Sequence, residues 1–283
     1  MDIIHTIGKM QQTALALRRE GKIIGFVPTM GYLHEGHLSL IRRARTECDI
    51  LIVSIYVNPT QFSPTEDLQA YPRDFERDCS MCEKERADII FNPDSEEMYP
   101  SDYLTEIHVR ELGKLLCGKS RPTHFDGVTT VVAKLFNIVQ PDIAVFGQKD
   151  FQQAVIIRRM ARDLNFPVKI IVAPTVRESD GLAMSSRNEY LTEAERRVAP
   201  ALYRSLVLAE EIIKSGDGKS SKEIIAVMRE HITDDGPFDI DYIEIVNPEN
   251  LAPIENPTGR RVLIALAARL GKARLIDNIV VGE

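Results

Sequence analysis

Two histidines, His34 and His37, lie three positions apart in residues 28–37, which read P-T-M-G-Y-L-H-E-G-H. An apolar run precedes this segment and a helical pattern follows it, so the pair is predicted at a strand-to-helix junction. A helix N-terminus carries about half a unit of positive charge and unpaired N–H groups that bind anions. The imidazoles can donate hydrogen bonds to a phosphoryl oxygen, and Gly36 allows close backbone approach. The segment predicts a phosphate site, with a capping or solvated histidine as the alternative.

A second segment with chemical potential reads Gly147-Gln148-Lys149-Asp150 and follows the apolar run 142–146. Lys149 can reach phosphates as a compact point charge. Asp150 can cap the next helix or bind a ribose hydroxyl. The alternative interpretation is a turn with a capping aspartate.

The third segment is Met184-Ser185-Ser186-Arg187, in a polar loop. Two hydroxyls and a guanidinium suit a pyrophosphate group, and we expect residues 178–187 to close over it as a mobile lid. A solvated linker would have a similar composition.

The elements that must position these residues are short apolar runs separated by helical segments. They predict an α/β fold with a Rossmann-like, doubly wound parallel sheet. The five runs are 23–27, 50–57, 89–91, 143–146 and 168–172. Such sheets bind ligands beyond the carboxyl ends of their strands, so segments 28–37, 58–63, 147–150 and 174–187 are expected to converge on one cleft.

The pattern changes after Asn188. Thr192 and Glu195 form a capping-box sequence that opens a helix predicted to run to about residue 214, and residues 220–223 open another in the same way. Three β-rich runs follow, at 240–246, 262–267 and 273–281. We therefore expect a Rossmann-like domain over 1–175 and a smaller C-terminal α+β domain over 176–283.

Composition limits the function classes. The 283 residues are 44% hydrophobic and 27% charged, with a net charge of -7. These values are ordinary for a soluble protein and give no basic footprint for nucleic acid. The most strongly apolar run, 50–57, is too short to span a bilayer, and the N-terminus lacks a signal-peptide pattern, so no membrane association and a cytoplasmic location are expected.

The four cysteines include a Cys79-x-x-Cys82 pair in a charged helical segment. No second such pair completes a zinc site, so we interpret them as helix neighbours and free thiols, with a redox or metal role as the minor alternative.

Taken together, the three segments resemble the HIGH-type nucleotidyltransferases, in which a later K-M-S-K-S-like loop helps enclose ATP. The loop here has alanine and serine where that motif has lysines, and Arg187 can restore the charge. Within this superfamily the chain resembles the pantoate-β-alanine ligase family. The resemblance runs in order through 28–37, Y-V-N-P-T-Q-F from 56, A-Y-P-R-D from 70, R-P-x-H-F-x-G-V from 121, F-G-Q-K-D-F-Q-Q from 146 and M-S-S-R-N from 184.

That resemblance implies an ATP-dependent condensation of pantoate with β-alanine. Pantoate carboxylate attacks the α-phosphorus of ATP, pyrophosphate leaves, and the amine of β-alanine then displaces AMP from pantoyl adenylate. The domain over 1–175 is then expected to bind ATP and pantoate, and the domain over 176–283 to act as a lid. Mg²⁺ and a homodimer are implied as well.

The resemblance also implies the site residues. His37 is expected to act as the acid in adenylation beside His34, with Lys149 and Arg187 as the other catalytic residues. Gln61 and Gln153 are expected to bind pantoate, and Gln61 also β-alanine. The implied ATP ligands are Met30, Gly31, Tyr32, Leu33, His34, Glu35, Gly36, His37, Gly147, Gln148, Lys149, Asp150, Val176, Met184, Ser185, Ser186 and Arg187.

Neutral amides suit pantoate, because a bidentate arginine would hold the carboxylate in a resting ion pair and reduce its nucleophilicity. Metal ligands and the roles of Arg121, His124, Asp74 and Asp78 stay open. Two other functions also stay open: a nucleotidyltransferase with a phosphate-linked dinucleotide product, and a non-catalytic nucleotide-binding module associated with RNA. The acidic balance argues against RNA.

Overall fold

The computed structural model describes residues 1–63 and 66–282. The chain divides into two compact units. Unit 1 comprises Met1–Gly113, Arg121–Gln148 and Ile156–Pro174, and unit 2 comprises Lys114–Ser120, Lys149–Val155 and Thr175–Glu283. The predicted division into a domain over 1–175 and a domain over 176–283 remains a prediction.

Unit 1 contains a six-stranded parallel sheet, as predicted. Its strands are β1 (Asp2–Ile4), β2 (Ile24–Thr29), β3 (Ile50–Ile55), β4 (Ile89–Phe91), β5 (Ile143–Gly147) and β6 (Lys169–Ala173), in the spatial order β1-β4-β3-β2-β5-β6. The chain extends from β2 to one side through β3 and to the other side through β5. The topological switch point therefore lies at β2 and β5, where sheets of this type bind ligands.

The helices of this part of the chain begin with α1 (Ile7–Arg19), α2 (Glu35–Arg45), α3 (Phe75–Lys84) and α4 (Ser95–Met98). They continue with α5 (Cys117–Ser120), which belongs to unit 2, α6 (His124–Val139), and α7 (Phe151–Asp163), whose first residues belong to unit 2. Adjacent β2 residues Phe26 and Val27 point to opposite faces and are both fully buried. Burial on both faces explains why the strands read as continuous apolar runs.

Unit 2 contains a three-stranded antiparallel sheet, which confirms the predicted α+β composition. Its strands are β7 (Asp239–Val246), β8 (Val262–Leu270) and β9 (Ala273–Val281), in that order, and its remaining helices are α8 (Glu193–Val198), α9 (Ala201–Ser215) and α10 (Ser221–Asp235). The helices and sheet share a buried core that includes Leu206, Met228 and Ile264.

Two sequence predictions need correction, and two elements were not predicted. The helix expected from residue 193 to about 214 is two helices, because Pro200 has no N–H to donate to the preceding turn. The helix expected from residue 38 begins at Glu35, so His37 lies inside its first turn. The patterns also missed strand β1 and the largely buried helix α6. In the part of the chain that the structure describes, no helix is long and apolar enough to cross a membrane.

Candidate functional site

The two histidines stand at the start of α2, directly beyond the carboxyl end of β2. His34 is the N-cap residue, and its Nδ1 accepts a hydrogen bond from the backbone N–H of Gly36 at 3.1 Å. Nδ1 of His37 accepts from the backbone N–H of His34 at 3.3 Å. The ring centroids are 4.1 Å apart. The capping and phosphate-binding interpretations are therefore compatible, because capping uses only Nδ1 of each ring.

These hydrogen bonds assign the histidine tautomers. A backbone N–H can only donate, so the Nδ1 atom that accepts from it carries no proton. Each neutral ring then has its proton on Nε2. Protonation of either ring at Nδ1 would break its capping hydrogen bond. His34 and His37 thus present two Nε2–H donors at a helix N-terminus, an arrangement suited to a phosphoryl oxygen.

The loop between β2 and the histidines depends on Asp78 of α3, which is only 1% exposed. Its two carboxylate oxygens accept hydrogen bonds from the backbone N–H groups of Tyr32 and Leu33, each at 2.7 Å. Burial raises the pKa of the Asp78 carboxyl, and the two backbone hydrogen bonds oppose that shift. Asp78, whose role the sequence left open, therefore positions the polypeptide that leads into His34.

Close packing around the same carboxylate explains the glycine in the loop. Gly31 has φ +79°, and a Cβ there would lie 2.9 Å from Oδ2 of Asp78. Tyr32, the next residue, also has a positive φ of 47°. Glycine accepts both the backbone conformation and the contact.

Gln61, the predicted pantoate and β-alanine ligand, lies in a short 3₁₀ turn, Pro59–Gln61, beyond the end of β3. Its side-chain Nε2 is 2.8 Å from Sδ of Met30, a predicted ATP ligand. Its Oε1 accepts a hydrogen bond from Nδ2 of Asn58 at 3.2 Å. Asn58 is 1% exposed and also donates to the carbonyl of Gly127 at 3.1 Å. The structure thus brings Gln61 and Met30 together and orients the Gln61 amide through a buried asparagine.

Arg121 and His124, whose roles were open, both hold the backbone of Gln61. A guanidinium N–H of Arg121 donates to the carbonyl of Gln61 at 3.3 Å, and Nδ1 of His124 lies 2.9 Å from the same oxygen. Arg121 also pairs with both carboxylate oxygens of Glu66. Burial opposes ionisation of Glu66, but the hydrogen bonds of Arg121 hold the pKa of that carboxyl below its usual range. These residues act on the site through Gln61.

A backbone contact completes this part of unit 1. Gly127 in α6 lies against the 3₁₀ turn, where an added Cβ would be 2.5 Å from the carbonyl oxygen of Thr60 and 2.7 Å from the nitrogen of Gln61. Only glycine lets the helix approach the turn this closely. The glycine of the R-P-x-H-F-x-G-V block therefore has a structural reason that its sequence position did not reveal.

In unit 2, a small cavity brings together two predicted phosphate ligands, Lys149 and Ser185. Asn188, the last residue of the M-S-S-R-N block, and Asp277, which the sequence did not single out, also line it. Nζ of Lys149 lies 3.9 Å from a carboxylate oxygen of Asp150, whose side chain is exposed.

The segment predicted as a lid is a hairpin with several anchors. The backbone N–H of Met184 donates to the carbonyl of Val176 at 3.0 Å, and that of Glu178 donates to Leu182 at 2.8 Å. Arg196 of α8 forms ion pairs with Glu178 at 2.5 Å and Asp180 at 2.6 Å. Movement of the hairpin away from α8 would break the two ion pairs of Arg196. Lid closure by residues 178–187 remains a prediction.

The other predicted ligands have simpler surroundings. Gln152 is a structural residue, because its amide bonds to the backbone of Leu115 and Cys117. Its neighbour Gln153 is half-buried, and its role in pantoate binding remains a prediction. The Glu35 side chain forms an ion pair with Arg42. Oγ of Ser185 accepts from the backbone N–H of Arg187 at 3.3 Å and begins a 3₁₀ turn that contains Ser186 and Arg187.

Predicted ATP ligands occur in both units. Unit 1 holds Met30 to His37, with Gly147 at the end of β5 and Gln148 after it, and unit 2 holds Lys149, Asp150, Val176 and Met184 to Arg187. Convergence of all of them around one ligand remains a prediction. Across residues 1–63 and 66–282, no three His, Cys, Asp or Glu side chains form a candidate metal cluster. Burial raises the pKa of the Cys79 and Cys82 thiols, the latter to about 12, which disfavours reactive thiolates.

Comparisons with known proteins give one and the same family along almost the whole chain. A family model described as pantoate-beta-alanine ligase matches residues 2–280. Pantothenate synthetase of Thermotoga neapolitana is 56% identical and that of Caldicellulosiruptor bescii 57% identical, with 99–100% of each chain aligned. The crystal structure of pantothenate synthetase from Thermus thermophilus superposes with a TM-score of 0.92 at 46% identity, covering 99% of both chains.

A second solved structure bears on ligands. The pantoate-beta-alanine ligase from Francisella tularensis, complexed with beta-gamma ATP and beta-alanine, has a TM-score of 0.81 and 37% identity. The match covers 99% of the present chain and 97% of that protein.

Replacing Gly127 should destabilise the fold. In Gly127→Ala the methyl group would displace the turn that carries Gln61, and overpacking of this kind costs about 1–3 kcal/mol. The free energy of unfolding from urea titration measures the effect. The control is Gly8→Ala in α1, where nothing lies within 4 Å of the new Cβ; its stability should be equal or higher by up to about 1 kcal/mol. Equal stabilities of the two variants would contradict the packing argument.

Replacing Asp78 should also destabilise the protein. Asp78→Ala leaves the N–H groups of Tyr32 and Leu33 without their acceptor, at a cost of about 1–3 kcal/mol for each buried donor. Glu76→Ala, at an exposed position of the same helix, should change the free energy of unfolding by no more than about 0.5 kcal/mol. Chemical denaturation of both variants makes the comparison, and a loss in Asp78→Ala as small as the control's would refute the positioning role.

Proposed function

The chain belongs to the pantoate-β-alanine ligase family and joins pantoate to β-alanine with ATP, and we propose that His34, His37 and Lys149 hold the reacting phosphates. The observation that carries this proposal is the pair of histidine Nδ1 atoms that accept backbone N–H groups at the start of α2. The arrangement leaves Nε2–H as the donor of each neutral ring.

In the first half-reaction, the pantoate carboxylate attacks the α-phosphorus of ATP and pyrophosphate leaves. Negative charge moves onto the phosphoryl oxygens and the leaving group. Donors that are fixed before the reaction stabilise this charge without reorganisation. His34 and His37 meet this requirement, because capping holds both rings. The proposed role of His37 as the acid uses its Nε2 proton.

Pantoate is held by amides in this proposal. The Gln61 side chain is oriented by Asn58 and its backbone by Arg121 and His124. An oriented neutral amide can position a carboxylate and hydroxyls while leaving the carboxylate nucleophilic. Gln153 is proposed as the second pantoate ligand, and Gln61 also as a β-alanine ligand.

In the second half-reaction, the amine of β-alanine attacks the acyl carbon of pantoyl adenylate and AMP leaves. The mixed anhydride must be kept from water until then. We assign the remaining ATP contacts to Lys149, Val176 and residues 184–187, with Arg187 as a further phosphate ligand. The cavity that joins Lys149 to Ser185 supports this assignment.

Mg²⁺ is proposed to arrive with the triphosphate, since the ion usually binds through substrate phosphates, water and one or two carboxylates. When bound, it would neutralise charge on the leaving pyrophosphate. A homodimer and a cytoplasmic location remain predictions from the family resemblance and the composition.

The reaction can be tested by its two half-reactions. Pyrophosphate release from ATP should require pantoate, and AMP with an amide of the pantothenate mass should accumulate only after β-alanine is added. Mass spectrometry of the products makes the distinction. A nucleotide-linked product, or pyrophosphate release without pantoate, would refute this function.

His37→Ala should lower kcat for pantoate-dependent pyrophosphate release by about 100- to 1000-fold, the usual loss for a donor at a developing oxyanion. The control is His5→Ala, an exposed histidine whose ring contacts the carbonyl of Asn92, and its kcat should stay unchanged. Circular dichroism should show both variants folded. Retained turnover in folded His37→Ala would remove His37 from the catalytic residues.

A further inference from the structure

Lys149 shares its surroundings with a buried carboxylate. Lys149 and Asp277 line the same small cavity in unit 2, together with Ser185 and Asn188. The Lys149 side chain is 20% exposed, whereas that of Asp277 is 4% exposed. A cation and a buried carboxylate that line one cavity attract each other, because burial limits screening by water.

The backbone ties the two residues together as well. Nδ2 of Asn278, the residue after Asp277 in β9, donates a hydrogen bond to the carbonyl of Lys149 at 2.9 Å. The backbone N–H of Asn278 donates to Oδ1 of Asp277 at 2.7 Å. The position of the lysine backbone relative to the carboxylate is therefore defined by hydrogen bonds within unit 2.

Both oxygens of Asp277 are engaged by Arg177. The two guanidinium nitrogens donate to Oδ2 at 2.6 Å and to Oδ1 at 2.9 Å. Arg177 also donates to the carbonyl of Gly181 at 3.1 Å, and its guanidinium carbon lies 3.9 Å from the ring centroid of Tyr203. The two parallel hydrogen bonds give this pair a specific geometry. A lysine ammonium, which is a point charge, cannot form the same bidentate pair.

We propose that Arg177 is a positioning residue that occupies Asp277 and so leaves the charge of Lys149 available to the phosphates of the nucleotide. Without Arg177, Lys149 is the cation of the cavity wall that would pair with the buried carboxylate. The inference rests on the proposed function only in taking ATP as the ligand of Lys149.

Electrostatic coupling between the groups agrees with this geometry. Burial raises the pKa of the Asp277 carboxyl, while Arg177 and, more weakly, Lys149 lower it. The Lys149 charge therefore acts on Asp277 even while Arg177 is in place.

The test uses three variants of the full chain: Arg177→Gln, Asp277→Asn and the double variant. Calorimetric titration with ATP gives the dissociation constant of each. Arg177→Gln should weaken ATP binding by about tenfold, since an opposite charge now competes for Lys149. Asp277→Asn and the double variant should bind within about threefold of the unmodified protein, because the competing carboxylate is gone. The KM for pantoate should change little in any of them.

A merely structural role for Arg177 gives a different pattern. If the double variant binds ATP as weakly as Arg177→Gln, or if Asp277→Asn alone loses tenfold, the inference is wrong. The unpaired buried carboxylate of Arg177→Gln is expected to lower its stability. Should that variant fail to fold, weakened ATP binding by Asp277→Asn or by the double variant would still overturn the inference.

A matched control comes from the same sheet. Arg274 and Asp241 form another arginine–carboxylate pair at 2.6 Å, with side chains 14% and 22% exposed, and do not line the cavity. Arg274→Gln should leave the ATP dissociation constant unchanged, and an equal loss there would overturn the assignment to Arg177. If the unmodified protein binds ATP but forms no amide, the proposed function fails while the comparison of variants keeps its meaning.

Discussion

The backbone N–H groups of the residues that follow a buried strand need hydrogen-bond acceptors, and this constraint determines the structure of the segment between β2 and α2. Neither the sheet nor the helix supplies them, so side chains do. Oγ1 of Thr29 accepts from Gly31, the two oxygens of Asp78 accept from the next two residues, and His37 and His34 accept through Nδ1. The same hydrogen bonds set the histidine tautomers. The hydrogen bonds that pair the backbone N–H groups of His34 and Gly36 are thus the same ones that leave each neutral ring with an Nε2–H donor.

In unit 2 the corresponding constraint is charge. A buried carboxylate destabilises a protein unless a cation neutralises it. Asp277 lines the same cavity as the lysine that the proposed chemistry needs, and Arg177 pairs with it from the hairpin that leads to Met184. The proposal therefore gives Arg177 the structural role and Lys149 the functional one. A similar division holds in unit 1, where Arg121 pairs with Glu66 and holds Gln61 by its backbone.

Much of the architecture followed from local pattern. Apolar runs of the length of a strand located five of the six parallel strands, because burial on both faces demands continuous apolar residues. Strand β1 escaped notice since three residues carry too little periodicity. The capping-box sequences at Thr192 and Ser220 were confirmed, but Pro200 interrupted the first helix. The motif residues His34, Lys149 and Ser185 were recognised because their types and spacing resemble a known family.

The sequence by itself determined the fold class, the family and the identity of the motif residues, since each can be read from local patterns and their order along the chain. Only the tertiary structure decided how those residues are supported. Asp78 meets the histidine loop from 45 positions away, His124 meets Gln61 from 63, and Arg177 meets Asp277 from 100. No local pattern encodes such partners, because hydrogen bonds and ion pairs depend on distance in space, and the packing of strands and helices alone sets that distance.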